Sequence, residues 1–474
     1  MSRGISRRDF LVFSGTTIAV GSTTSLGMAS KPVKQRPNIV FIFIDDMGYA
    51  DLSCYGNKDV KTANIDRLAE EGIRFTQFYV NSPICSPSRV AMTTGMFPAR
   101  WGINSYLSSR EANQQREIPD FLDPKAPSLA RTLKQAGYAT AHFGKWHMGG
   151  GRDVDNAPHP QAYGFDESLV SFEGLGDRVL PPSGLSRRSE KLGQGNIQHA
   201  EKHEITEIYV NRTLDFVRKN KDKPFYINLW PGDVHDSHRP KPELLEKYKA
   251  FAENPYVQKF YAVLDELDRQ IGRLMKGIEE LGLDEKTLIL LISDNGPTDW
   301  PKYYKAGFTL PGSVGPLYGR KWSLYEGGIR VPAIFRWKGT IPQGKVDEKS
   351  VLCGVDMFPS LCKLMAVKPP KDAAFDGEDM SKALLGKPRR RTKPIFWDYG
   401  RNEFYLRPGN PDFVSPNLAV REGKWKLLIN DDGSDAKLYD LEADIGETTN
   451  LAERQPKVAG RLSKMVLDWR KGLP

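Results

Sequence analysis

Three short apolar runs, one long amphipathic helix and a late change of pattern predict an α/β fold. The sheet is large and mostly parallel, sandwiched by helices, and a smaller C-terminal domain combines an antiparallel sheet with a helix. The runs are 37–44, 225–229 and 287–292. Each is nearly continuous in β-forming residues and bounded by turn residues, the pattern of a strand buried on both faces. The helix covers 256–281, with Val263, Leu267, Ile271, Leu274 and Ile278 at helical spacing. Beyond residue 392 the pattern becomes short strands between turns, at 394–397, 417–421, 425–430 and 436–441, then a helical stretch over 450–469. A chain of 474 residues exceeds one compact core. Two domains are therefore expected, 35–380 and 381–474, with the boundary in the Lys/Arg-rich stretch 381–392.

The strand 37–44 ends at Asp45-Asp46, at the strand end where open α/β sheets bind ligands. Adjacent carboxylates repel unless a cation lies between them, and oxygen ligands suit a hard divalent ion such as calcium or magnesium. A helix over 65–71 stops at Gly72, and a strand over 73–80 leads to Cys85-Ser86-Pro87-Ser88-Arg89. Pro87 fits a first helical turn and Gly95 a helix stop. Cys85 then sits at the positive end of a helix dipole, with Arg89 one turn on along the same face. Ser128 caps a helix over 129–136 that ends at Gly137. The next strand runs into a glycine turn carrying Lys145 and His147, which share one side if the chain stays extended.

The stretch 149–203, with Gly149-Gly150-Gly151 and Pro181-Pro182, reads as a long loop without periodicity. Such loops carry function, so substrate selection is expected there. A helix over 205–218 precedes the strand 225–229, whose end delivers Asp233, His235 and His238. The strand 287–292 delivers Asp294 and Asn295. Lys321 stands just before Gly327-Gly328, which permit a close backbone approach. A strand over 333–337 and a helix over 355–364 complete the first domain. Strand ends in a parallel sheet with right-handed crossovers share one edge, which brings Asp45, Asp46, Lys145, His147, His235, Asp294 and Asn295 together, with Cys85 pointing at them.

The formal charge of +9 comes without a Lys/Arg stripe interleaved with aromatics, so no nucleic-acid partner is expected. A polyanionic substrate accounts for the sign. Four cysteines are too few for a disulfide framework; Cys353 and Cys362 could pair, and free buried thiols are the reading preferred. Residues 1–30 carry a twin-arginine pattern, Ser6-Arg7-Arg8-Asp9-Phe10-Leu11, an apolar run over 11–20 and small residues at Gly27-Met28-Ala29. This reads as a signal peptide for the twin-arginine translocase, giving a periplasmic or secreted protein. The run is too short and polar for a stable membrane span, and no other segment is apolar enough to cross.

The string 85–95 resembles the first signature of the type I sulfatases, C-x-P-x-R. Gly137-Tyr138 through Gly144-Lys145-Trp146-His147 resembles the second, G-Y-x-T-x-x-x-G-K-x-H, and the block 321–332 also recurs in that family. The resemblance covers nearly the whole chain after the leader. It implies an alkaline phosphatase-like fold, a mixed and mostly parallel sheet. It implies conversion of Cys85 to formylglycine by a formylglycine-generating enzyme. It implies a divalent metal, calcium with magnesium as the alternative, on Asp45, Asp46, Asp294, Asn295 and the modified residue 85. In the implied mechanism one hydroxyl of the residue 85 hydrate attacks sulfur. Arg89, Lys145 and Lys321 hold the sulfate oxygens and residue 85, and Lys145, His235 and Lys321 contact the substrate. His235 with Lys321 protonates the leaving alcohol, and His147 takes the proton whose removal expels sulfate. The family's leaving-group histidine lies in a shorter His-x-Pro context. Here 233–240 offers both His235 and His238, and spacing from the strand favours His235.

The implied activity is arylsulfatase-type hydrolysis of a sulfated carbohydrate. Two rivals stand beside it: a phosphonate monoester or phosphodiester hydrolase of the same superfamily, and an inactive sulfated-glycan binding protein. The Gly-Lys-Trp-His block and Lys321 favour sulfate, and the presence of every motif residue favours an enzyme.

Overall fold

The run Asn38–Ile44 forms strand β1 and is buried along its whole length. Its alternate side chains serve two different cores. Ile39, Phe41 and Phe43 pack on one face with Val90 and Ala91 of the Cys85–Thr94 helix. Val40, Ile42 and Ile44 pack on the other with Leu267, Ile271 and Leu274 of the helix Pro255–Glu280. A sheet with apolar residues on both faces must be covered on both, and this one is a helix–sheet–helix sandwich. The computed structural model describes residues 36–474, which form one compact unit. The twin-arginine segment read at 1–30 lies outside the described residues.

Ten further strands join β1: β2 Ile73–Tyr79, β3 Ala139–Gly144, β4 Glu167–Val170, β5 Arg178–Leu180, β6 Ile197–His199, β7 Phe225–Trp230, β8 Thr287–Ser293, β9 Arg330–Arg336, β10 Lys345–Asp347 and β11 Leu352–Cys353. The order is β10-β2-β9-β8-β1-β7-β3-β4-β5-β6, with β11 beside β2. From β8 to β6 every pairing is parallel, and β9 runs antiparallel to both β8 and β2. The sheet is thus mixed and mostly parallel, as expected. Register sets the level of the strand ends. Ile44 pairs with Ser293 and Gly144 with Trp230, so β1, β8, β3 and β7 end side by side on one edge.

The structure corrects the reading of 149–203 as loop. It holds β4, β5, β6 and the helix Gly184–Lys191. Strands of three or four residues are too short to show periodicity, and β6 is half-exposed, so no apolar run marks them. The short helix Pro242–Lys247 was also missed, although Pro242 in its first turn, Glu243 near its start and Lys247 near its end are helix signals. The helix expected over 355–364 begins as a 3-10 turn, Gly354–Asp356, before Met357–Leu364. All four cysteines are free thiols, and no described helix is long and apolar enough to cross a membrane.

A second, antiparallel sheet comes next, β12 Ile395–Asp398, β13 Leu418–Glu422, β14 Trp425–Ile429 and β15 Lys437–Asp440, in that order. The helix Pro456–Lys471 packs on it through Ala459, Leu462 and Val466. Its apolar residues join the same core as Phe41 and Val331 of the large sheet. A buried ion cluster also ties the two sheets. Lys426 Nζ on β14 lies 3.0 Å from Glu326 Oε1 and 2.9 Å from Glu447 Oε1, with all three side chains fully buried. Burial opposes it, but Lys426, Arg330 and Arg421 hold the Glu326 carboxyl down at about 2. Burial and the neighbouring Glu326 push Glu447 up to about 7.

Removing the shared ammonium leaves two carboxylates without their partner. Lys426→Ala should lower stability by about 3–5 kcal/mol in urea denaturation at neutral pH. A depressed carboxylate stabilises the fold above its ordinary value of 4.5 and loses that contribution as pH falls towards about 2. The variant should therefore show a shallower acid loss than the parent over that interval.

Candidate active site

The level strand ends build the site. At the end of β1 the backbone N–H of Asp45 donates to Pro231 O at 3.2 Å, beyond β7, and that of Asp294 donates to Ile44 O at 2.9 Å. Asp46 then turns left-handed, with φ of 64°. Its N–H donates to Asp294 Oδ1 at 3.1 Å, and its Oδ1 accepts from Asn295 Nδ2 at 2.7 Å. His147 (φ 53°) and Trp322 (φ 69°), the neighbour of Lys321, are also left-handed. Such conformations cost energy for residues other than glycine and gather at functional sites.

The Cys85–Thr94 helix is buried throughout and ends at Gly95 with φ of 68°. Cys85 is its first residue, so the free N–H end faces the strand edge. Arg89 lies beneath the floor of the site. It donates to Asp294 Oδ2 at 2.6 Å and to Lys145 O at 2.9 Å, and lies 3.5 Å from Asp45 Oδ1. Its guanidinium stacks over Trp230, 5.1 Å from the ring centre. Lys145 Nζ donates to Asp45 Oδ2 at 2.7 Å, and Lys321 Nζ donates to Asp46 Oδ1. Lys321 reaches that point because its turn is packed backbone to backbone. A Cβ on Gly296 would lie 1.9 Å from Gly327 O, and one on Gly327 would lie 2.1 Å from Gly319 O.

Above this floor opens a cavity of about 410 Å³. Asp45, Asp46, Cys85, Lys145, His147, His235 and Lys321 line it, with Tyr106, Phe172, Trp300 and Tyr303 on the walls. Asp294, Asn295 and Arg89 support it from below. His235 keeps 29% of its side chain exposed, with Nε2 3.7 Å from Asp46 Oδ2. His238 instead is buried, its Nε2 3.0 Å from Val234 O and its ring packed on Phe260. Lys145 and His147 both reach the cavity, but not along an extended chain as expected, because His147 is left-handed. Glu173 stands between them, and Lys202 Nζ holds the carbonyls of His235 and Ser237. Sequence reasoning missed Glu173, Lys202 and the aromatic wall. Each sits in a segment without periodicity and gains its place only through the fold.

The carboxylate cluster fits a divalent cation. Ligand atoms of Asp45, Cys85 and Asp294 lie within 4.8 Å of one another, as do those of Asp45, Asp46 and His235. Asp45 Oδ1 and Asn295 Oδ1 are buried without a hydrogen-bond donor. Buried oxygens left without a donor beside a carboxylate cluster are what a hard cation satisfies. Burial and the nearby Asp45 push the Asp294 carboxyl up to about 7, whereas Lys145, His235 and Arg89 overcome burial and hold Asp45 below the usual range. Burial pushes the Cys85 thiol up to about 11 and the imidazole of His147 down to about 3.

Comparison with known proteins meets this geometry. The sulfatase family model matches residues 37–367. The chain belongs to the sulfatase family. A model described as N-sulphoglucosamine sulphohydrolase, C-terminal, matches residues 316–471 of this sulfatase. The sulfatase is 29% identical to the N-acetylgalactosamine-6-O-sulfatase of Bacteroides thetaiotaomicron, over 95% of this chain and 96% of that one. It is 32% identical to human arylsulfatase A, over 93% and 89%. A solved structure from a glycosaminoglycan-metabolising locus of Bacteroides thetaiotaomicron superposes with a TM-score of 0.73 at 27% identity, covering 92% of this chain and all of that one. The protein is accordingly a sulfuric ester hydrolase.

Gly327→Ala should push Lys321 off Asp46 by forcing Cβ against the Gly319 carbonyl. Turnover of an aryl sulfate is expected to fall by about 10²-fold, the effect of displacing a working group by an ångström. Steady-state assay beside a melting curve checks it.

Proposed function

We propose that this sulfatase removes sulfate from a sulfated carbohydrate, using a formylglycine made from Cys85 and a divalent cation, calcium or magnesium. The observation that carries the reading is the convergence of Arg89, Lys145, Lys321 and orphaned carboxylate and amide oxygens on the N-terminal end of the Cys85 helix. The formylglycine hydrate would supply one hydroxyl to attack sulfur and a second whose deprotonation releases sulfate. The cation, on Asp45, Asp46, Asp294, Asn295 and residue 85, would supply charge to polarise a sulfate oxygen and acidify that hydroxyl.

The chain's own groups do the rest. Lys145 and Lys321 bind the sulfate oxygens, and Arg89 fixes Asp294 and the floor from below. His235, exposed in the cavity beside Asp46, donates a proton to the departing alcohol. His238, turned into the core, serves the loop instead. His147, kept neutral by burial, receives the proton given up by residue 85.

Tyr106, Trp300 and Tyr303, which line the cavity, are read as its aromatic wall for a sugar ring. The N-acetylgalactosamine-6-O-sulfatase likeness favours sulfated galactose or N-acetylgalactosamine units as substrates. The twin-arginine pattern at Arg7-Arg8 supports export of the enzyme to the periplasm or beyond by the twin-arginine translocase, after a formylglycine-generating enzyme has acted.

Mass spectrometry of the peptide containing residue 85 should show the loss of one sulfur and two hydrogens, one from the thiol and one from Cβ, and the gain of one oxygen. Sulfate release from 6-sulfated N-acetylgalactosamine should scale with the converted fraction. Cys85→Ala should be inactive yet folded, and Asp45→Ala should lose cation binding in calorimetry. Full activity in a verified free-thiol or metal-free protein overturns the assignment. Replacing Arg7 and Arg8 with lysine should retain the precursor in the cytoplasm; unchanged export refutes the leader.

A further inference from the structure

Glu173 takes no part in the chemistry proposed for this site, yet its carboxylate is nearly closed off from water and faces three basic groups. Oε2 lies 3.3 Å from Lys145 Nζ and 3.2 Å from His147 Nδ1, and Oε1 lies 3.7 Å from Arg152. Its side chain keeps 10% exposure. Its backbone oxygen also accepts from the His147 N–H at 3.0 Å. One residue therefore holds His147 by both backbone and ring.

The surroundings of the ring fix where its hydrogen lies. Nε2 sits 3.0 Å from Leu107 O, and a carbonyl can only accept. Nε2 therefore carries the hydrogen, and Nδ1 presents its lone pair to Glu173. Two acceptors that close form a place prepared for a proton. A proton arriving on Nδ1 becomes a charge-assisted hydrogen bond to Oε2. Burial above all, then Lys145 and Arg89, opposes charge on that ring, and Glu173 favours it. Until then the Lys145 ammonium keeps the carboxylate turned towards the pair.

We propose that Glu173 is a positioning residue: it sets Lys145 against His147 and stabilises the imidazolium that His147 becomes when it takes up its proton. The inference rests on the proposed roles of Lys145 and His147. It also accounts for a carboxylate standing among groups that otherwise serve an anionic substrate, where its charge alone would hinder binding.

The test is Glu173→Gln, which keeps the shape, removes the charge and turns the ring's lone pair into an acceptor of the amide N–H. Per equivalent of converted residue 85, kcat should fall by at least about 10-fold and by up to about 10⁴-fold, the upper figure being the cost of neutralising the carboxylate behind a general-base imidazole, with KM nearly unchanged. Glu173→Asp, with charge retained on a shorter arm, should recover part of kcat. Independently of turnover, the ¹⁵N resonance of His147 Nδ1 in a Cys85→Ala background should shift in the Gln variant while the other histidines stay put. Unchanged kcat and an unmoved resonance overturn the proposal, as do Gln and Asp variants that lose activity only in step with their melting temperatures. A His147→Ala enzyme with full activity would instead overturn the reading beneath it. An inactive His147→Ala beside a fully active Glu173→Gln would sink the Glu173 inference alone.

Discussion

A guanidinium sealed from water organises this molecule. Arg89 bridges the carboxylate at the end of β8, the backbone after β3 and, more loosely, the carboxylate at the end of β1. A buried charge without partners would cost far more than the fold can spare. Arg89 is tolerable because its two terminal nitrogens meet a carbonyl and a carboxylate and its flat face meets Trp230, although its Nε is left without a partner. In turn it allows three carboxylates to sit within a few ångströms of one another on a dry sheet edge. Lys145 and Lys321 complete the neutralisation from above. The floor is therefore an ionic lattice whose members hold each other in place, and unmaking one disturbs all.

Geometry at that edge depends on backbone approach as much as on charge. The parallel register ends four strands side by side, and the turns beyond them are packed too tightly for side chains. Gly144 lies against the carbonyl of Trp230, and Gly296 against that of Gly327. Only after these contacts are made do Lys145 and Lys321 face each other across Cys85. Left-handed backbone at Asp46, His147 and Trp322 marks where the chain is bent to serve the site rather than its own comfort.

Much of this was legible in the sequence because it derives from local pattern. The apolar runs of β1, β7 and β8 are fully buried, as continuous hydrophobicity predicts. The residues at their ends meet because parallel strands share an edge. Ser128 caps its helix, accepting from the Arg131 N–H, as its position before Leu129 implied. Of the two histidines after β7, His235 keeps 29% of its side chain exposed and His238 5%. What escaped was non-local. β4 to β6 are too short to carry a period, and Glu173 and Trp300 belong to loops whose meaning comes from the neighbours the fold brings. Lys145 and His147 reach the same cavity by a left-handed twist that no alternation rule contains.

The buried cluster of Lys426 with Glu326 and Glu447 bears on the order in which the protein can be finished. Glu326 immediately precedes the Gly327–Gly328 turn behind Lys321, and its ammonium partner lies a hundred residues further along the chain. While synthesis has reached only the large sheet, Tyr79 and Arg330 hold one oxygen of that acid and the other still lacks its ammonium. The edge that carries the candidate site is consequently locked by a residue made a hundred positions after the turn it clamps. A chain interrupted before β14 would keep every residue of the catalytic floor and still lack the clamp that holds one of its walls.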